Sequence, residues 1–165
     1  MNEKRVDYLE AKNPIVLGVD TRESHKTKTA FQKLSDARKN VYIIYKAFKV
    51  GDFVTKDMIV ESKEINDFIA SFTERRKRKD GSIYRRLESQ VERLLDAPQP
   101  VKIILLHGGW ETVYSNIKQN SVLGQIASIT AQGIQVIWLP KDTDWVYFTY
   151  RLAVKAEKYN NIKES

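Results

Sequence analysis

The chain has 165 residues, of which 42% are hydrophobic and 30% charged, so it can bury a core without staples and is not a disordered polyelectrolyte. It has no cysteine, which excludes disulfides and thiolate metal sites. Lys and Arg outnumber Asp and Glu by 28 to 21, a net charge of +7, which points to a polyanionic partner.

The opening residues, MNEKRVDYLEAKN over 1–13, are polar and carry no secretory apolar segment. The apolar runs IILL and VIWL are too short to cross a bilayer. No membrane partner is expected, and an intracellular setting is: cytoplasm or nucleoid, or a nucleus.

A first buried strand is expected over residues 15–19, IVLGV. Ser24 is placed to cap a helix in which Ala30, Phe31, Leu34 and Ala37 keep a helical period. VYIIYKAF, 41–48, reads as a second strand. Gly51 and Asp52 make a turn, and MIVESK, 58–63, is a further strand. Ile65, Phe68, Ile69 and Phe72 then form the inward stripe of a short helix.

ERRKRKDGSIYRR, 74–86, holds seven Lys or Arg and two acids and reads as a mobile basic loop running into a helix. Leu87, Val91, Leu94 and Leu95 continue that helix, which stops before Pro98. VKIILL (101–106) and IQVIWL (134–139) are buried strands. The helix between them is marked by Leu123, Ile126, Ala127 and Thr130, and Gly133 closes it. A last helix spans about 143 to 158. This alternation implies one α/β domain with a mixed central sheet between helices.

Glu61 and Lys63 are the chemical oddity. Two apart on a strand, they share one face at the end of the most apolar run. A carboxylate and an ammonium there fit phosphodiester hydrolysis, in which hard oxygen ligands hold Mg²⁺ and a fixed cation faces the phosphate. By themselves the acids and the lysine fit a surface ion pair at a strand end better than a metal site. Asp20 and Glu23, in VDTRE, lie at the carboxyl end of the first strand, where open α/β sheets gather ligands.

VDTRE, then GDF, then ESK with an Asp four residues on, then RLESQ, in that order and spacing, resembles the nuclease domain of the XPF family of structure-specific DNA endonucleases, within the PD-(D/E)XK superfamily. The resemblance covers about residues 15 to 158. It implies a restriction-endonuclease-like three-layer fold and a single nuclease domain over 1–165, with a polar extension at 1–13 and a tail at 160–165.

By position, the resemblance makes Asp52 and Glu61 metal ligands and Lys63 the catalytic lysine. Asp20 and Glu23 complete the acidic cluster, with Asp20 as a further ligand. Arg22, Asp67 and Gln90 support the site. The implied cofactor is Mg²⁺ or Mn²⁺. The implied activity is cleavage of branched, flap or fork DNA in repair, replication or recombination. The alternative is a non-catalytic nuclease-fold subunit that positions a partner nuclease or DNA.

Arg75, Arg76, Lys77, Arg78, Lys79, Arg85 and Arg86 are expected to grip the DNA backbone. A homodimer through the apolar C-terminal helix is expected, as is a DNA-binding or clamp partner protein. No helix-hairpin-helix or helicase segment is legible. Ser62 stands where the family has arginine, and His107 where it often has an acid. His25 and His107 read as ordinary polar residues, and Trp110 and Tyr114, after the Gly108-Gly109 loop, as packed loop anchors, with base stacking as the alternative.

Overall fold

The structure is a computed structural model and describes residues 14–140 and 143–164. The extension at 1–13 lies outside the described residues. Among the described residues eight strands and five α-helices follow in order. They are β1 (Ile15–Asp20), α1 (His25–Arg38), β2 (Val41–Lys46), β3 (Phe53–Val54), β4 (Met58–Glu64), α2 (Ile65–Thr73), β5 (Arg75–Lys77), β6 (Ile83–Arg85), α3 (Arg86–Asp96), β7 (Val101–His107), α4 (Gln119–Ala131), β8 (Gln135–Leu139) and α5 (Trp145–Glu164). Six strands form a mixed sheet in the order β2-β1-β3-β4-β7-β8, and β5 and β6 form a separate hairpin. Helices flank the sheet, as expected. The chain divides into two compact units, Met1–Ile59 with Asp144–Ser165, and Val60–Thr143.

In the first unit, β1, α1 and β2 form a crossover that makes β1 and β2 parallel, Ile15 opposite Val41 and Asp20 opposite Lys46. β3 runs antiparallel to β1, with Val19 opposite Phe53. Ser24 caps α1 by accepting the N–H of Thr27 at 3.2 Å, as its residue type requires. The core is aromatic: Phe53 lies 4.9 Å from Phe31 and 5.7 Å from Trp145, centroid to centroid. Burying Phe31 and Phe53 stabilises the unit by roughly 1.5–3 kcal/mol each.

α5 buries Val146, Tyr150, Ala153, Val154 and Ala156 by packing on α1 and β1. The Tyr150 hydroxyl donates to Asn40 Oδ1. Much of the apolar surface expected to seek a second copy is therefore covered by its own unit.

In the second unit, α2 buries Ile65, Phe68, Ile69 and Phe72, the stripe read from the sequence. Glu64 caps it, its carboxylate accepting the N–H groups of Asn66 and Asp67 at 2.8 and 3.3 Å. α3 packs on α2 through Leu87, Val91 and Leu94. β7 pairs in parallel with β8, and its Ile103 to Leu106 stretch is fully buried.

α4 forms where Leu123, Ile126, Ala127 and Thr130 mark a helix; it buries Val122 and Ile129, while Leu123 is 47% exposed and Ala127 and Thr130 also face out. One expectation needs correction here: the basic stretch is no loop. It forms the β5–β6 hairpin, with Arg75 opposite Arg85 and Lys77 opposite Ile83. Asp80 closes the turn by accepting the N–H and hydroxyl of Ser82, and the Arg78 guanidinium lies 4.6 Å from the Tyr84 ring centre.

Candidate active site

β1 delivers Asp20 to its carboxyl end, where the residue is 1% exposed. Its carboxylate accepts four hydrogen bonds. Oδ1 takes the backbone N–H and Nε–H of Arg22 at 2.8 and 2.9 Å. Oδ2 takes Nη2 of Arg22 at 2.8 Å and the N–H of Phe48 at 3.0 Å. Arg22 Nη2 also donates to the carbonyl of Phe48 at 2.8 Å, so the guanidinium and the carboxylate together tie the end of β1 to the chain after β2.

The side-chain bonds from Arg22 hold the Asp20 carboxyl well below the usual carboxylate range, against burial, which pushes it up. Arg22 thus supports the site by holding the Asp20 carboxylate.

Asp52 belongs to the same unit. Its backbone carbonyl accepts the N–H of Asp20 at 2.9 Å, which brings the GD turn against the end of β1. Gly51 makes that turn possible. Its φ is +81°, and a Cβ would stand 2.6 Å from Cγ1 of Ile59, so both the backbone angle and the space demand glycine. Glu23, partly exposed, donates its N–H to the Asp20 carbonyl at 3.1 Å.

The second unit supplies the other half of the sequence phrase. Glu61 and Lys63 share a face of β4, with Lys63 Nζ 3.6 Å from Glu61 Oε1 and side chains only 10% and 17% exposed for Lys63 and Glu61. Asp67 sits exposed in the first turn of α2, where an acid favours the helix dipole. On α3, Gln90 Oε1 and Arg86 Nε are buried with no hydrogen-bond partner. They lie one turn apart on one helix face, and Arg86 Nη2 is 3.7 Å from Glu74.

His107, at the end of β7, is half-buried, and burial lowers its pKa against the raising effect of Glu64 and Asp67. His25, at the start of α1, is exposed and lies 3.4 Å from the Thr29 hydroxyl.

Among the described residues, no three His, Cys, Asp or Glu side chains are grouped closely enough to hold a metal ion by themselves. The donors present are carboxylates, which suit a hard cation that keeps most of its waters and takes one or two protein ligands. Arg75, Arg76, Lys77, Arg78 and Lys79 are all exposed on the hairpin, while Arg85 and Arg86 are partly covered where α3 begins. Trp110 is half-buried in a short 3-10 turn (Trp110–Thr112), as an anchor should be. Tyr114 is 84% exposed and is no anchor. The role of Glu64 as a helix cap was also missed; its only signal was the acid just before the stripe.

A mixed six-stranded sheet with flanking helices and a glutamate and a lysine two apart on a central strand defines the class: a restriction-endonuclease-like nuclease fold. The ERCC4 domain model matches residues 19–152, and the chain belongs to the ERCC4 domain family, which comprises structure-specific nucleases. No curated protein sequence matches. Among solved structures, XPF from Aeropyrum pernix superposes with a TM-score of 0.67 at 22% identity, over 86% of this chain and 61% of that one. That likeness shows the fold, and this chain spans about three fifths of that protein's length. Among the described residues no helix is long and apolar enough to cross a membrane.

Proposed function

We propose that the chain is a divalent-metal-dependent endodeoxyribonuclease that hydrolyses phosphodiesters in branched, flap or fork DNA during repair, replication or recombination. The observation that carries this reading is the largely buried Glu61–Lys63 pair at the end of β4, within a family of nucleases. Desolvating two charges at the end of an apolar strand costs stability. Chemistry at that position gives the pair a reason to persist.

In this reading Asp52 and Glu61 are ligands of a Mg²⁺ or Mn²⁺ ion, with Asp20 as a further ligand. Bound there, the metal supplies an activated water and positive charge beside the phosphate. Lys63 presents a fixed ammonium to the nucleophile or to a phosphate oxygen, and Glu23 extends the acidic edge. Asp20 already carries four hydrogen bonds, so it acts first by fixing the end of β1, and as a ligand it shares an oxygen with Arg22. Asp67 adds negative charge beside the site. Gln90 and Arg86, with a buried acceptor and donor unanswered, offer hydrogen bonds to a site water or a phosphate.

The β5–β6 hairpin, Arg75 to Lys79 with Arg85 and Arg86, grips the DNA backbone through phosphate contacts. The whole chain acts as one nuclease domain, since the family match runs across both compact units. A homodimer uses what α5 leaves uncovered, the partly exposed Trp145, Phe148 and Leu152 with Tyr147 and Tyr159. A DNA-binding or clamp protein serves as a further partner.

One observation favours a second reading. Asp20 is saturated by Arg22 and Phe48. This suits a subunit that binds DNA and positions an active partner. Metal-dependent cleavage of labelled flap and fork DNA by the isolated chain separates the two.

A further inference from the structure

We propose that Tyr114 is a base-stacking platform, its ring covering the first unpaired base, or the last base pair, beside the phosphate to be cut. This rests on the nuclease reading above and gives the site a substrate contact that its acids and cations do not provide.

Tyr114 is more exposed, at 84%, than any other large hydrophobic side chain among the described residues. Its loop is nonetheless held at both ends. Gly108 leaves β7 with φ +102°, so close to α2 that a Cβ would meet Ile65 Cγ2 at 3.2 Å. Trp138 Nε1 donates to the Gly108 carbonyl at 2.7 Å, and the Thr112 hydroxyl donates to the Gly109 carbonyl at 2.7 Å.

At the far end Asn66 acts as a bracket. Its Nδ2 donates to the Thr112 carbonyl at 3.1 Å, and its Oδ1 accepts the N–H of Tyr114 at 3.4 Å. Asn66 is itself tied to Glu64, through its N–H to Oε2 at 2.8 Å and through Nδ2 to Oε1 at 3.1 Å. An exposed ring on a braced backbone can stack without first ordering its loop.

The bracket also sets the distance. Glu64 follows Lys63 directly, and three residues of chain plus an asparagine side chain and one hydrogen bond put the Tyr114 backbone within roughly 17 Å of the Lys63 backbone. That is a few nucleotides along a strand. Beyond the exposed Glu111 of this loop, the sequence has no Asp or Glu up to Pro140, and Lys118 is the one charged residue of that stretch. Aromatic rings stack on any base, which suits an enzyme that reads DNA shape rather than sequence.

The test uses fork DNA with 2-aminopurine at the first unpaired position, in EDTA, with the wild-type chain and Tyr114→Ala, Tyr114→Phe and Tyr114→Trp. Wild type, Tyr114→Phe and Tyr114→Trp should change the 2-aminopurine fluorescence. Tyr114→Ala should lose that change and bind the fork about five- to a hundredfold more weakly, with unaltered binding to plain duplex and an unaltered melting temperature. Fork binding by Tyr114→Ala with the wild-type fluorescence change overturns the stacking proposal alone. A wild-type chain that binds no fork DNA overturns the nuclease reading and this proposal with it.

Discussion

Lys63 Nζ stands 3.6 Å from Glu61 Oε1 on one face of β4, with nine tenths of the lysine side chain out of solvent. Each charge answers the other, and a cation held by Glu61 would take over part of that work. Removing the ammonium with Lys63→Met leaves a largely buried carboxylate unanswered and should cost about 1–3 kcal/mol in metal-free buffer. Millimolar Mg²⁺ should restore more stability to Lys63→Met than it adds to the wild type. Urea unfolding with and without the metal checks this; equal metal effects on both chains would place the ion away from Glu61.

Asp20 gives the fold a pH dependence of known sign. Arg22 holds its carboxyl below the ordinary value of 3.8. A depressed folded value stabilises the protein fully above the unfolded value, and that stabilisation is lost as pH falls below it. The stability gap between wild type and Asp20→Asn should therefore be largest near neutrality and shrink below about pH 4. Urea midpoints at pH 7 and pH 3 measure the gap, and a gap that does not change would remove the Arg22 contribution.

Gly51→Ala should destabilise the chain by about 1–3 kcal/mol, because alanine must hold φ +81° with its Cβ against Ile59. A thermal melt within error of the wild type would show that the turn before Asp52 has another way to close.

The apolar elements were legible because they follow simple periods. β7 is buried on both faces and reads as an unbroken apolar run, and the stripe Ile65, Phe68, Ile69 and Phe72 is helical spacing. The sequence was silent where two conformations satisfy the same residues. Arg75 to Lys77 and Ile83 to Arg85 pair as strands only once the Asp80 turn closes, and seven cations hide that alternation. Tyr114 carries no sign of its exposure, since what holds its loop is Asn66, 48 residues earlier.

The candidate site was legible as a phrase and not as a geometry. GDF, ESK and RLESQ name the residues, and the structure adds Gly51's steric need and the bonds on Asp20. Arg22 as the partner of Asp20 depends on a bend that also brings in Phe48, beyond the reach of residue spacing.

The hairpin makes a separate claim. Replacing Arg75, Arg76, Lys77 and Arg78 with glutamine should weaken DNA binding and flatten the log–log salt dependence by roughly three, if all four cations meet phosphates. Fluorescence anisotropy across a salt series reads the slope; an unchanged slope would make the hairpin a solvated surface.

The most direct test of the central claim is cleavage of end-labelled flap and fork DNA by the isolated chain, with Mg²⁺, Mn²⁺ or EDTA, beside Glu61→Gln. Metal-dependent cutting near the branch, lost in Glu61→Gln while that chain still folds and binds DNA, is the result predicted. Flap binding without cutting under any metal would contradict it and leave a subunit that positions another nuclease.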